Sequence, residues 1–123
     1  MIRGTVIARR EAVVQLSVCG PNGAEARIDA VVDSGFSASL TLPAALVTSL
    51  GLVRQSTGRA VLTDGTVRRF DIFEAEVEWD GSWKSILISG VGGDVLLGMR
   101  LLADHELRIA VVPGGGVEIS ALP

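Results

Sequence analysis

Tyrosine is absent from this 123-residue chain, aromatic residues make up 4% of it, and histidine, cysteine and lysine occur once each, as His105, Cys19 and Lys84. Each shortage removes a class of function. A single cysteine allows no disulfide within the chain, and a single histidine excludes a histidine-rich metal cluster. A serine nucleophile at Ser34 or Ser37 would need His105 as its base, and nothing in the sequence places His105 nearby. With few aromatics, a net charge of −3 and a pI near 5.0, the chain offers no base-stacking or phosphate-binding surface, so nucleic acid is not an expected partner. No apolar run approaches the roughly 18 residues of a membrane span. Met1-Ile2-Arg3-Gly4 lacks the charged-then-apolar order of a secretory signal. No membrane partner and a reducing, cytoplasmic setting are therefore expected.

What is present is β-forming. Hydrophobic residues reach 48%, glycines number fifteen, and short β-branched runs outnumber helical periodicities, which predicts an all-β fold with one or two short helices. The length suits one domain covering residues 1–123. Strands are expected at 2–8, 12–19 and 25–32, the last two joined by the Gly20-Pro21-Asn22-Gly23 turn. Leu40-Thr41-Leu42 reads as a short strand. Pro43 then opens a helix over 44–50 that Gly51 stops.

Further on, Asp64-Gly65 predicts a tight primed hairpin turn between strands at 58–63 and 66–79, and Asp80-Gly81 another into 82–89. In the long strand, Phe73, Ala75, Val77 and Trp79 share one parity while Phe70 and Ile72 have that of Glu74, Glu76 and Glu78. A bulge or bend near Ile72-Phe73 would reconcile the halves and let the Asp64-Gly65 end project away. A short helix at 98–103 and strands at 106–112 and 117–122 complete the chain. The three glutamates read as a solvated stripe. Gly90-Val91-Gly92-Gly93 lacks the βαβ context of a dinucleotide loop.

Two segments carry chemistry. Ile28-Asp29-Ala30-Val31-Val32 runs straight into Asp33-Ser34-Gly35, putting a carboxylate, a hydroxyl and a hinge glycine at the mouth of a buried strand. Much later, Val95-Leu96-Leu97-Gly98 ends another apolar strand in a glycine that lets a second backbone pass close by. Three letters such as Asp-Ser-Gly arise by chance in about one chain in twenty of this length, and taken alone they describe an ordinary Asx turn.

In their context they resemble the retropepsin-like (clan AA) aspartic proteases. Val32 to Pro43, with its Asp-Ser-Gly-Phe start and Leu-Thr-Leu-Pro end, looks like the small single-domain bacterial and archaeal members. Leu96-Leu97-Gly98-Met99 is similar to their second signature. The resemblance implies an all-β retropepsin-like closed barrel and a peptide or protein substrate. It makes Asp33 the catalytic carboxylate, Ser34 a hydroxyl cross-linking the two active-site loops, and Gly35 a backbone donor. Asp64, Gly65 and Thr66 would form a flap tip over the substrate, Phe36 a bulky group beside the cleft, and Leu97 and Gly98 the support beneath the Asp33 loop. Phe36 and Arg100 depart from the family pattern, which bears on substrate preference.

Carboxylate catalysis of peptide hydrolysis needs two acids, and this chain has one Asp-Ser-Gly. Two carboxylates about 3 Å apart hold one proton between them, so one activates water while the other assists the peptide carbonyl. No metal or other cofactor is required. A homodimer would place Asp33 of each copy at the two-fold axis, with 117–122 the edge strand expected to pair across it. The alternative is a non-proteolytic dimeric module that binds peptides or proteins in the same cleft.

Overall fold

The computed structural model describes residues 1–123. β1 (Ile2–Val6), β2 (Ala12–Cys19) and β3 (Glu25–Val32) alternate side chains inward and outward, so Val14, Leu16, Val18, Ile28 and Ala30 line one buried face. β4 (Leu40–Thr41) is short, and Pro43 caps α1 (Ala44–Ser49) as its extended N-terminal residue. Gly51 ends that helix at φ +65°. β5 (Arg54–Val61) and β6 (Val67–Trp79) form a hairpin, and β7 (Ser82–Gly90) follows through a two-residue turn in which both Asp80 and Gly81 have positive φ. β8 (Leu96–Leu97), α2 (Met99–Leu102), β9 (His105–Ile109) and β10 (Gly116–Ala121) close the sequence. No helix is long and apolar enough to cross a membrane.

Six strands close into a ring. β2 pairs with β3, β3 with β8, β8 with β4, β4 with β7, β7 with β6, and β6 returns to β2 through Val18 opposite Val77. The ring forms because β6 and β2 each divide one flank between two neighbours. β5 takes the first half of that flank of β6 and β2 the second; β1 takes the first part of β2 and β6 its end. Inside sits one apolar cluster in which Val18, Ala30, Leu40, Leu42, Val77, Ile88, Leu97 and Ile119 are fully buried.

Two extensions leave the ring. Along β6, β7 pairing begins only at Asp71, so residues 67–70 are held by β5 alone and the hairpin projects as a two-stranded arm. The irregularity lies across the ladder, on β5: Arg54 pairs with Phe73 and Ser56 with Ile72, which leaves Gln55 as a bulge, while β6 keeps its alternation with Phe70 and Ile72 on the face opposite to Phe73, Ala75, Val77 and Trp79. β5 begins at Arg54, four residues before the expected start, because pairing to β6 recruits the polar Arg54-Gln55-Ser56-Thr57 segment.

The second extension is the antiparallel trio β1–β10–β9. It corrects the expectation for the last strand, since β10 lies between β1 and β9 and is no edge; the free edge belongs to β9. At its start, the Trp79 indole N–H donates to His105 Nε2 at 3.2 Å, while His105 Nδ1 lies 2.8 Å from the Ala103 carbonyl. His105 thus pins β9 to the end of β6.

Since Val117 and Ile119 are 1% and 0% exposed, deleting residues 117–123 removes core as well as two ladders. Burying one such side chain contributes about 1.5–3 kcal/mol, against a total domain stability of about 5–15 kcal/mol. The truncated chain should lose its cooperative thermal transition by circular dichroism. A sharp melt within a few degrees of the full chain would show that β10 is dispensable.

Candidate functional site

β3 delivers Asp33 to the surface from a fully paired position. Its last residues are flanked by β2 on one side and β8 on the other, with Val31 opposite Leu96 and Val32 opposite Leu97 in parallel register. The Asp33 amide then donates to the Leu97 carbonyl at 2.9 Å. Its carboxylate Oδ1 accepts the Gly35 N–H at 2.9 Å, and its carbonyl accepts the Phe36 N–H at 3.1 Å. Asp33 itself is half-buried, whereas Ser34 and Gly35 are exposed. The Asx turn alone is ordinary; its anchorage is not.

That anchorage comes from β8, which is inserted between the two ends of the loop that carries Asp33. Leu97 pairs with Val32 before the loop and with Leu40 after it. Beyond β8, Gly98 N–H donates to the Ser39 carbonyl at 2.9 Å, Met99 N–H to the Phe36 carbonyl at 2.8 Å, and Arg100 N–H to the Ala38 carbonyl at 3.2 Å. The loop is therefore strapped across the end of β8 by backbone bonds that do not depend on side-chain identity. Leu97 is fully buried beneath it.

Gly98 is required by space. A Cβ at this position would lie 2.1 Å from the Ala38 carbonyl oxygen, 2.5 Å from the Phe36 ring and 2.7 Å from the Phe36 carbonyl oxygen. Phe36 thus packs its ring onto Gly98 and is only partly available to a ligand.

Thr41, which the sequence did not single out, holds the arrangement from the other side. Its buried hydroxyl donates to the Asp94 carbonyl at 2.8 Å and accepts the Leu96 N–H at 2.8 Å, fixing the entry of β8. The available signal was a polar residue between Leu40 and Leu42 in an otherwise apolar strand.

Asp64, Gly65 and Thr66 come together at the far end of the arm. Gly65 N–H donates to the Leu62 carbonyl, Leu62 N–H to the Thr66 carbonyl, and Gly65 alone of Thr63, Asp64 and Gly65 has positive φ, +86°. This is a three-residue loop with a glycine bulge, a correction to the expected two-residue primed turn. The Thr66 amide donates to Asp64 Oδ1 at 2.9 Å, and hydrogen bonding by Thr66 holds the Asp64 carboxyl below the usual carboxylate range. Within one chain no side-chain hydrogen bond joins this tip to the Asp33 loop. No group of three or more His, Cys, Asp or Glu side chains converges in a metal-binding arrangement.

Gly98→Ala should destabilise the protein by on the order of 1–3 kcal/mol through overpacking, and should displace the loop that it supports. The Gly35 amide resonance, which reports the bond to Asp33 Oδ1, is the readout alongside thermal melting. An unshifted resonance with an unchanged melt would refute the close approach.

No protein-family model matches the chain, and no curated protein matches it either. Among solved structures, the crystal structure of a retropepsin-like aspartic protease from Rickettsia conorii is similar, with a TM-score of 0.57 and 17% sequence identity over 99% of this chain and 92% of that one. At that identity the likeness concerns the backbone, and the conclusion it carries is that this chain has a retropepsin-like fold.

Proposed function

We propose that the chain is an aspartic-type endopeptidase, a hydrolase that works as a homodimer with Asp33 of each copy forming the catalytic pair. The observation that carries this reading is the Asp33 loop. A half-exposed carboxylate sits at the end of a core strand, one oxygen is oriented by the Gly35 amide, and the backbone on both sides is fixed by β8. Such fixation suits a group that must meet its own symmetry mate at hydrogen-bond distance. The fold shared with an aspartic protease points the same way.

In the proposed mechanism the two Asp33 carboxylates share one proton. The ionised carboxylate removes a proton from a bound water, and that water attacks the peptide carbonyl while the protonated partner hydrogen-bonds the carbonyl oxygen. The tetrahedral intermediate then collapses as the carboxyl that took the water's proton passes it to the leaving amine, which restores the one-proton pair. Ser34, exposed and without a hydrogen-bond partner in its own chain, would bond to the opposite loop in such a dimer. The Asp64-Gly65-Thr66 tip would cover the bound peptide.

Asp33→Asn should leave the melt unchanged within a few degrees and lower peptide turnover by several orders of magnitude, as when one member of a cooperative catalytic unit is lost. Turnover is read with a peptide library at several pH values. Cleavage surviving in a contaminant-free preparation of this variant would eliminate Asp33 as the catalyst.

The free edge of β9 offers a surface for the second copy. Ala110 N–H bonds to the Gly116 carbonyl and Leu122 N–H to that of Asp104, so alternation turns the N–H groups of His105, Leu107 and Ile109 toward the open edge. Ile109→Pro removes one of these donors at a position where an edge strand tolerates proline. It should weaken dimerisation, so that specific activity falls on dilution at higher concentrations than in the parent protein. Sedimentation run beside a dilution series measures both. A monomer with constant specific activity down to nanomolar protein would sink the shared-dyad mechanism.

A further inference from the structure

The projecting arm is charged against the rest of the molecule. Residues 54–71 carry Arg54, Arg59, Arg68 and Arg69, four of the ten arginines in the chain, against Asp64 and Asp71. The arm is thus net +2, and the remainder of this −3 chain is −5. Neither aspartate neutralises the outer arginines. Asp64 is engaged by the Thr66 amide, and Asp71 lies 3.8 Å from Arg54 at the base. Arg59, Arg68 and Arg69 are exposed and have no carboxylate within ion-pair distance.

Two of them are set against each other. Arg59 and Arg69 are direct cross-strand partners on one face, with Arg68 opposite Ala60 on the other. Like charges directly opposite destabilise a ladder, and residues 67–70 have no third strand to compensate. The arm's own folding makes no use of this cluster.

We infer that the arm is an electrostatic docking element for an acidic stretch of the polypeptide substrate, with Arg59 and Arg69 as its specificity-determining pair. The inference rests on the endopeptidase reading and names the substrate class for it. An extended segment rich in Asp and Glu matches the arm in charge, and β5 is a terminal strand of the sheet with one side unpaired, so backbone pairing is open to it as well. The exposed Val61, Leu62 and Val67 at the tip give such a segment apolar contacts beside the charged ones. A nucleic acid fits less well: the body beneath the arm is strongly negative, and the arm's single aromatic, Phe70, is partly buried.

The test uses two fluorescent peptides that differ only in having Glu or Gln on one flank of a common central sequence. Their binding to the Asp33→Asn protein is followed by anisotropy at low and high salt. The acidic peptide should bind about five- to tenfold more tightly at low ionic strength, as expected for a few exposed ion pairs, and the difference should shrink as salt rises. Arg59→Gln/Arg69→Gln should abolish the discrimination. Arg3→Gln/Arg27→Gln, which removes the same net charge away from the arm, should preserve it.

In the active protein the same preference should appear in KM, with kcat within about twofold. Equal binding of the two peptides would overturn the inference. So would discrimination that survives loss of Arg59 and Arg69, or an oligonucleotide of matched charge that binds more tightly than the acidic peptide. Discrimination without any turnover in the parent protein would instead uphold the docking arm and remove the catalytic reading, so the two failures are distinguishable.

Discussion

β8 is two residues long, yet the candidate site depends on where it lies. Its Leu97 has Val32 on one side and Leu40 on the other, so the chain entering the Asp33 loop and the chain leaving it are held apart by one strand's width. The bonds from Gly98, Met99 and Arg100 to carbonyls of residues 36–39 then close the loop over the strand's end. An open loop of seven residues would sample many backbone states at about 1–2 kcal/mol of lost entropy per residue fixed. Here it is held through groups buried beneath it. The buried Thr41 hydroxyl, bonded to both sides of the β8 entry, serves the same end.

That arrangement separates a part built around the core from a part with little core of its own. The ring β2–β3–β8–β4–β7–β6 contains most of the apolar core and presents Asp33 at one mouth. The arm has almost no buried side chains, and its outer half is a two-stranded ladder, a structure with little independent stability. Between arm and ring, the Gln55 bulge shifts β5 by one residue against β6. A surface pocket of about 640 Å³ beside α1, lined in part by Asp71 and Phe73, leaves the arm's base unsupported on that side. The arm thus has few core contacts to hold it against the ring.

The trio β1–β10–β9 gives the molecule its other open boundary. It is joined to the ring by β1 pairing with β2 and by the Trp79–His105 bond between the end of β6 and the start of β9. Trp79 is 6% exposed, and its indole N–H would be costly to leave without an acceptor. The only histidine of the chain is thus a structural acceptor. Its presence at this junction ties the β9 edge to the same β6 that carries the arm.

Much of this was legible in the sequence because it is encoded locally. The alternation in residues 12–19 and 25–32 determined both strands to the residue. Asp80-Gly81 determined its turn through the one conformation that both residues accept. Asp33 at the end of an apolar strand and Gly98 after Leu96-Leu97 pointed to one loop and one close approach, since each residue type meets a specific local need. Other features are properties of pairing, and no local pattern carries them. The polar start of β5 is a strand only because β6 lies beside it, and the extra residue in this ladder is Gln55, on β5 and not on the long strand where the change of pattern is read. β10 looks like an edge strand by its alternation, but the sheet order placed it inside, with β9 taking the edge. The arm's arginines are ordinary surface residues in sequence; tertiary structure decided that Arg59 faces Arg69, because register between strands is set by the whole ladder and not by either segment alone.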